Sequence, residues 1–552
     1  IFNGAGSTVT GNTIGFAAAD GSGTYTMTGS VATRFAAINM NAGTSLAVNS
    51  IQGNTVAGIN ITSSAGAVTY GVLCGIFLGA GNFNIGDVTP NTIGATTGTG
   101  SLVATLTISQ AAIVGVYSGT TGTVLIQNNN FGAFSAAGAS STTGGAVWGV
   151  SVGTTPTLLT ISGNTFGNTT AENMKAGING VTTGNSLGYG ILYNASPIVA
   201  TNIIITNNTF RNFSVYGSTT TSTLRGIVTS PSAGGPTYTI TNNTFTNFTT
   251  NSAAITNGVN LSLMGIQLAN GTNSIISGNT ISNFSLINSG TGAYTVAGIT
   301  ISNGISPKII SNTIYNLTNA GGSTSVTTPS RVVGILVYSG TTSDTIANNM
   351  ISLGSGQASN TAFIGIQLAN TATPDPVSNI FYNTIYISGT VGSGAQPSFC
   401  IARTDFTGTT KTAGAYIRNN ICDNARTGGT GQHYAIANNY GAATASSTGW
   451  NVAACDYNVF NSADTSTIGW WSGAVGITGW QAASGGDAST WTAVPITYTN
   501  APTGNLRFNM GVTPTKLESR AISIASVTTD IDGFARPKPG AVNGGGFAPD
   551  YG

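Results

Sequence analysis

Charged residues are scarce in this chain, and their scarcity excludes several classes of protein. Asp, Glu, Lys and Arg make up 5% of the 552 residues, the net charge is +1, and there is one histidine. Without a basic stripe, the chain is not expected to bind nucleic acid. It also lacks an apolar run of about 18 residues, so no membrane-spanning helix is predicted. The acids are too scattered to predict a metal site or a cofactor.

Cysteine is also rare, and its spacing argues against a metal knuckle. The four cysteines are Cys74, Cys400, Cys422 and Cys455, and no two of them form a Cys-x-x-Cys pair. Cys422 and Cys455 are 33 residues apart, close to the repeat described next, so one interpretation is a disulfide between neighbouring coils. The interpretation that we favour is that all four are small buried thiols.

A short motif, Asn-Thr-Ile or a close variant, recurs along most of the chain. Successive copies are 33 to 44 residues apart, with a weaker copy at Asn458. Such a period indicates an array of stacked units instead of a conventional globular domain. The key asparagines are Asn12, Asn54, Asn91, Asn129, Asn164, Asn208, Asn243, Asn279, Asn312, Asn348, Asn383 and Asn419.

A second motif, a Gly-Ile pair within an alternating apolar segment, recurs in phase with the first. Between Val296 and Val337 the pattern predicts three short strands, a corner at Asn312 and one long loop. This is one coil of a parallel β-helix, and helix formation is disfavoured by the Gly, Thr and β-branched content. We expect each Asn to take a left-handed backbone at its corner and to stack on the next Asn in an amide ladder.

The repeat stops near residue 460, which predicts an all-β array over 1–460 and a C-terminal cap over 461–552. Five tryptophans mark this change. We interpret them as a cover for the last coil, in preference to a platform for stacking sugars. They are Trp450, Trp470, Trp471, Trp480 and Trp491.

Several segments of this region resemble the tail of secreted, pectate-lyase-like right-handed parallel β-helix proteins of Bacteroidota and relatives. The matching segments are 480–487, 506–508, 530–537 and 548–552. The resemblance implies that the β-helix is right-handed, and the spacing of the Asn motif predicts about thirteen coils with a period of about 36 residues. It also implies export by type IX secretion to the cell surface or the medium. Because the chain starts at Ile1 and shows no sorting domain, we expect a trimmed or shortened form.

A catalytic centre is hard to assemble from so few charges. The densest charged region runs from Arg403 to Asp456. There, an acid–base pair of Asp423 and His433, helped by Arg426, is the enzymatic hypothesis. The interpretation that we favour is that these charges solvate the last coils and discourage pairing with other chains.

Two functions follow from these features. The leading hypothesis is a non-enzymatic extracellular structural or adhesive protein. It would be a subunit of a surface filament or layer that assembles through solenoid ends, because Ile1-Phe2-Asn3 leaves little room for a cap. The alternative is a polysaccharide-binding or polysaccharide-degrading protein with a groove along the Gly-Ile strands. Candidate groove residues are Tyr117, Trp148, Tyr189 and Tyr338.

Overall fold

A computed structural model shows a parallel β-solenoid with two compact units. Unit 1 comprises residues 1–272 and 284–288, and unit 2 comprises residues 273–283 and 289–552. Among the described residues, no helix is long and apolar enough to cross a membrane. The structure describes residues 6–29, 31–43, 47–195, 201–229, 235–254, 261–338, 343–370, 377–508, 517 and 520–536.

Each coil contributes strands to three parallel sheets. Sheet 1 leads into the recurring Asn, sheet 2 follows it, and sheet 3 contains the Gly-Ile pair. In unit 1, sheet 1 consists of Thr8–Thr10, Val48–Gln52, Asn82–Ile85, Thr123–Gln127, Leu158–Ser162, Asn202–Thr206 and Thr237–Thr241. Sheet 2 consists of Thr13–Gly15, Tyr25–Met27, Thr55–Ala57, Ile59–Ser63, Thr92–Gly94, Leu102–Leu106, Asn130–Gly132, Phe134–Gly138, Thr165–Phe166, Met174–Ala176, Thr209–Arg211, Phe213–Val215 and Thr244–Thr250. Sheet 3 consists of Phe35–Met40, Leu73–Leu78, Ala112–Ser118, Ala146–Val152, Leu187–Tyr193, Thr223–Val228 and Leu263–Leu268.

Unit 2 repeats this plan. Its sheet 1 consists of Ile275–Ser277, Lys308–Ile310, Ser343–Ala347, Val377–Phe381 and Gly414–Arg418. Sheet 2 consists of Thr280–Leu286 (up to residue 283 in this unit), Thr313–Asn319, Met350–Leu353, Thr384–Ile387, Ile421–Asn424, Val459–Ser462 and Trp491–Thr492. Sheet 3 consists of Thr295–Ile301, Arg331–Val337, Ala362–Leu368, Ser398–Arg403, His433–Asn438 and Gly469–Trp471.

A few further elements lie near the end of unit 2. Parallel pairing continues past residue 460, since Val459–Ser462 pairs with Trp491–Thr492. The remaining strands are Thr390–Val391, Thr427–Gly428, Ala474–Val475, Tyr498–Asn500 and Asn505–Phe508. The one α-helix of the described residues is Ile477–Ser484, and the 3₁₀ helices are Val452–Ala454, Thr465–Thr467 and Ala501–Thr503.

The recurring asparagines form a ladder in each unit, and all of its members except Asn12 are buried. The side-chain amide of Asn164, for example, donates to Oδ1 of Asn208 at 2.9 Å, and its own Oδ1 accepts from Asn129 at 3.1 Å. In unit 1 the ladder runs through Asn12, Asn54, Asn91, Asn129, Asn164, Asn208 and Asn243. In unit 2 it runs through Asn279, Asn312, Asn349, Asn383, Asn420 and Asn458. Asn349 and Asn420 therefore occupy the ladder in place of Asn348 and Asn419.

The left-handed backbone lies one residue before the ladder. Asn207, Asn348 and Asn419 have φ angles of 57°, 57° and 62°, and each precedes a ladder asparagine. We call this preceding position the corner residue. We expected one Asn both to adopt the left-handed backbone and to form the ladder, but two consecutive residues share these roles. The chain turns at the corner residue, and the side-chain amide of the next residue points inwards to the ladder.

The two sequence motifs are in phase because their side chains meet inside the solenoid. A methyl group at Gly149 would lie 2.4 Å from Cδ1 of Phe166, and one at Gly190 would lie 2.5 Å from Cδ1 of Phe210. The two phenylalanines stack with ring centroids 4.7 Å apart. Glycine in sheet 3 therefore makes room for the large residue that follows Asn-Thr in sheet 2.

The last coil of unit 2 is closed by a tryptophan and a carboxylate. Trp480 is fully buried and packs edge-to-face on Trp450 and Trp471, with ring centroids 5.5 Å away in both cases. Its indole N–H donates to Oδ2 of Asp487 at 2.8 Å, and Oδ1 of Asp487 accepts from Asn458 at 2.9 Å. Asp487 thus takes the place of the next asparagine and ends the ladder.

Candidate functional site

The three residues of the enzymatic hypothesis have separate partners. Asp423 is half-buried, and its Oδ2 accepts from the hydroxyl of Tyr498 at 3.1 Å. Burial raises the pKa of this carboxyl, an effect that hydrogen bonds from Tyr498 and Asn461 oppose. Among the described residues, no hydrogen bond or ion pair joins Asp423 to His433.

Arg426 serves to hold loops together. Its guanidinium is fully buried and donates to the carbonyls of Ser388 at 2.9 Å and Ser359 at 2.9 Å. It also lies over the ring of Phe363, 4.5 Å from the centroid. Burial lowers its pKa to about 10. All of these contacts are internal, and Arg426 lines the same cavity as His433.

His433 is a neutral, hydrogen-bonded histidine beside a cavity of about 260 Å³. Its Nε2 lies 3.2 Å from the carbonyl oxygen of Gly428, which can only accept, so Nε2 carries the proton. Nδ1 lies 2.9 Å from the hydroxyl oxygen of Ser398. Burial lowers the pKa of His433. This serine–histidine pair was not predicted from the sequence, and Ser398 is fully buried and also bonded to Asn424, so it cannot reach a substrate.

A cluster of aromatic residues lies instead on the outer face of sheet 3 in unit 1. Here Tyr117 lies against Phe77 at 5.1 Å and Tyr70 at 5.7 Å between ring centroids. Arg34 lies over the Tyr70 ring at 5.3 Å and donates to the carbonyl of Gly71 at 2.9 Å. We call Arg34, Tyr70, Phe77 and Tyr117 the aromatic groove.

A cavity of about 570 Å³ occupies one end of the aromatic groove. Its lining includes the rings of Tyr70 and Phe77 and the polar side chains of Arg34 and Asn39. The three aromatic residues of the groove are half-buried. A concave apolar surface with a few polar groups at its rim is the usual form of a small-ligand site.

The apolar face continues along the sheet past the groove. Trp148 and Tyr189 are register partners on neighbouring strands, with ring centroids 6.1 Å apart. Trp148 is 6% exposed, and its buried indole N–H has no hydrogen-bond partner among the residues that the structure describes. Tyr117, Trp148 and Tyr189 thus share this face, whereas Tyr338 belongs to unit 2.

Sequence reasoning found part of the groove. Tyr117 is among the predicted groove residues because it falls near a Gly-Ile-type strand, but Phe77, its register partner, is not. The missed signal is that Asn39, Phe77 and Tyr117 occupy equivalent positions in successive coils. Tyr70 and Arg34 lie outside the strands of sheet 3, so the repeat pattern does not point to them.

The fold therefore defines the chain as a parallel β-solenoid protein. No group of three or more His, Cys, Asp or Glu side chains able to hold a metal ion occurs in the described part of the chain. No known protein family model, curated protein or solved structure matches the chain.

Proposed function

We propose that this chain is a non-enzymatic extracellular adhesive protein that binds polysaccharide through the aromatic groove of unit 1. The observation that carries the proposal is the cluster of Tyr70, Phe77 and Tyr117 beside a cavity of about 570 Å³. Aromatic rings bury the apolar C–H face of a sugar, while a rim of polar groups can bond its hydroxyls. Arg34 and Asn39 supply such groups.

The extracellular location rests on the resemblance of the C-terminal segments between residues 480 and 552 to secreted β-helix proteins, and on the very low charge. A type IX secretion route and a pectate-lyase-like relationship belong to the same proposal. Support for a non-enzymatic role comes from the candidate residues, since Asp423, Arg426 and His433 each bond to a different internal partner.

Adhesion is favoured over filament assembly through both solenoid ends. The last coil of unit 2 is covered by Trp480, and its ladder ends on Asp487. A second chain would have to displace these buried groups before it could stack there. Residues 1–3, on which the predicted open first coil depends, lie outside the described residues.

The test is a binding measurement on a panel of soluble polysaccharides. We expect at least one polysaccharide to bind, and Tyr70→Ala or Tyr117→Ala to weaken its affinity about tenfold or more, because each removes a stacking ring. Tyr25→Ala is the matched control, since Tyr25 is an exposed tyrosine of unit 1 outside the groove.

Two results would contradict the proposal. One is unchanged affinity in both groove variants. The other is release of reducing sugar that is lost in Asp423→Asn or His433→Ala, which would instead support the enzymatic hypothesis. Light scattering of the same samples checks the assembly hypothesis independently, because a concentration-dependent increase in mass would indicate filaments.

A further inference from the structure

Two facing columns of residues run through the interior of unit 2. The sheet 3 column contains Gly298, Gly334 and Gly365, and the sheet 2 column contains Ile314, Ile351 and Ile385. Methyl groups at these glycines would lie 2.9, 2.6 and 2.4 Å from Cγ2 of the facing isoleucines. Each coil thus pairs one glycine with one large residue, as in unit 1.

In the next coil both columns change together to cysteine. Neighbouring residues fix the register, since Ile364 pairs with Phe399 and Ile366 with Ile401, so Cys400 takes the place of Gly365. Cys422 takes the place of Ile385, with which it pairs directly. Two residues of intermediate size fill the space of one absent and one large side chain.

The two thiols lie next to each other in the core. Both are fully buried, and both are free thiols in the structure. The Sγ of Cys400 also lies 3.9 Å from the carbonyl of Ile385, the residue that precedes Cys422 in its column. In the preceding coil, a methyl group at Gly365 would lie 2.4 Å from Cγ2 of Ile385. Adding the bond from Cγ2 to Cβ of Ile385 places the two facing Cβ positions of that coil within about 4 Å of each other. We infer a similar Cβ–Cβ separation for Cys400 and Cys422, which occupy the same two columns. That separation suits a disulfide.

We propose that Cys400 and Cys422 form a disulfide across the interior of unit 2, a cross-link that joins sheet 3 to sheet 2 within one coil. The two thiols lose two electrons and two protons, and the oxidant is a disulfide, either of a thiol oxidoreductase or of a small molecule. The new S–S bond forms as the disulfide of the oxidant breaks, and its two sulfurs leave as thiols.

The thiols must meet the oxidant before the coil closes. Burial, and next the neighbouring Cys422 thiol, raise the pKa of Cys400 well above its ordinary value, so the thiolate that attacks a disulfide is disfavoured in the folded chain. Once formed, the bond is protected from reduction for the same reason. It closes a loop in the unfolded chain and thereby stabilises the coils next to the C-terminal cap.

The same geometry corrects the pairing considered from the sequence. Cys455 is buried, and its thiol donates to the carbonyl of Ala415 at 3.2 Å. Cys422 instead pairs in register with Phe460 and faces Cys400. The spacing of Cys422 and Cys455, close to one repeat, suggested a disulfide between them, whereas the interior columns place Cys422 opposite Cys400.

The test is refolding of the full chain in a glutathione redox buffer, followed by peptide mapping without reduction. We expect a disulfide-linked pair of peptides containing Cys400 and Cys422, with a mass two hydrogen atoms lower than the summed masses of the two reduced peptides. The unfolding temperature should fall by several degrees when the bond is reduced. A Cys422–Cys455 pair, or four free thiols after oxidative refolding, would overturn the inference.

The control variant restores the pattern of the other coils. Cys400→Gly with Cys422→Ile should fold, and its unfolding temperature should not respond to reductant, whereas Cys455→Ser should respond like the unaltered chain. If the restored variant does not fold, Cys400→Ala with Cys422→Ala replaces it. Refolding in vitro does not depend on the proposed extracellular location, so that proposal can fail while the disulfide stands. Protein recovered from culture medium tests the location separately.

Discussion

The corner residues differ between the two units, although the ladder beside them is the same. In unit 1, Asn128, Asn207 and Asn242 are exposed. In unit 2, Asn348, Tyr382 and Asn419 are buried, and the described residues 517 and 520–536, which we call the tail, cover them. One structural position therefore serves as bare surface in one unit and as a docking site in the other.

The contacts in unit 2 show how a corner is adapted to hold the tail. Both polar atoms of the Asn419 side chain bond the backbone of Ile522, at 2.6 and 3.0 Å. The hydroxyl of Tyr382 donates to the same Ile522 carbonyl at 2.6 Å, and Arg536 lies 4.1 Å from the centre of its ring. Asn348 donates to the carbonyl of Thr529 at 2.7 Å.

Tyr382 is the clearest sign of this adaptation. Its φ of 54° is costly for an aromatic residue, whereas Asn or Gly tolerates that conformation. The contacts with Ile522 and Arg536 offset that strain. A bulky residue at a corner thus marks where another part of the chain packs against the solenoid.

The largest predicted effect on stability concerns the asparagine ladder, which both units have. Asn164→Ala in unit 1 and Asn383→Ala in unit 2 each remove a buried amide that bonds both neighbouring coils. We expect each to lower the free energy of unfolding by about 4 kcal/mol, because several buried backbone and side-chain groups lose their partners. Hydrogen exchange resolved along the chain measures the loss in each unit.

The matched control for the ladder is the exposed corner. Asn207→Gly keeps a residue that tolerates positive φ, so we expect a change within about 0.5 kcal/mol. A loss at Asn383 much smaller than that at Asn164 would show that the tail, and not the ladder, holds unit 2 together.

A smaller effect is expected when the corners are exchanged. Tyr382→Asn gives unit 2 the corner of unit 1, and it should cost about 2 kcal/mol, since lost contacts with the tail outweigh the relief of strain. Limited proteolysis should then cut residues 520–536 faster.

Asn207→Tyr makes the reverse exchange and should cost about 1 kcal/mol or more, because no tail contact offsets the strain. Equal proteolysis of the tail in Tyr382→Asn and the unaltered chain would contradict this interpretation.

The sequence predicted the repeat well because the interior imposes it on every coil. Glycine in sheet 3 must face the large residue after Asn-Thr, so both motifs recur in phase, and this pattern is sufficient to indicate a parallel β-solenoid. The predicted ladder was wrong by one residue at two coils, where Asn349 and Asn420 occupy the ladder. In both coils two asparagines are adjacent, at 348–349 and 419–420, and the sequence does not show which is the corner residue and which belongs to the ladder.

The aromatic groove and the tail contacts were less accessible to sequence reasoning. Tyr70 and Arg34 reach sheet 3 from outside its strands, and Ile522 contacts Asn419 across 103 residues of sequence. Neither contact recurs with the spacing of the repeat, so the repeat pattern does not predict it. Of the residues in the enzymatic hypothesis, Arg426 and His433 line the same cavity, whereas Asp423 bonds to Tyr498 elsewhere, since closeness in sequence does not decide to which side of a coil a side chain points.

The smallest predicted effect concerns the end of the ladder. The described ladder of unit 1 consists of amides, which do not titrate, whereas that of unit 2 ends on Asp487, whose pKa burial raises to about 6 from an ordinary value of 3.8. Because the folded state holds this proton more tightly, the group's contribution to stability is complete below about pH 4 and is lost as the pH rises through about 6.

Between pH 5 and pH 8 the loss should be about 1 kcal/mol. Denaturant unfolding followed by tryptophan fluorescence reports on this region, since five of the six tryptophans lie in unit 2. Asp487→Asn should remove this loss and leave the contribution of His433, whose lowered pKa makes stability rise with pH. It also leaves the buried N–H of Trp480 without its acceptor and so lowers stability at every pH. Asp464→Asn, an exposed carboxylate of the same region, is the control and should keep the loss between pH 5 and pH 8. A pH profile that Asp487→Asn leaves unchanged would mean that the ladder of unit 2 ends without a titrating group, as the described part of unit 1 does.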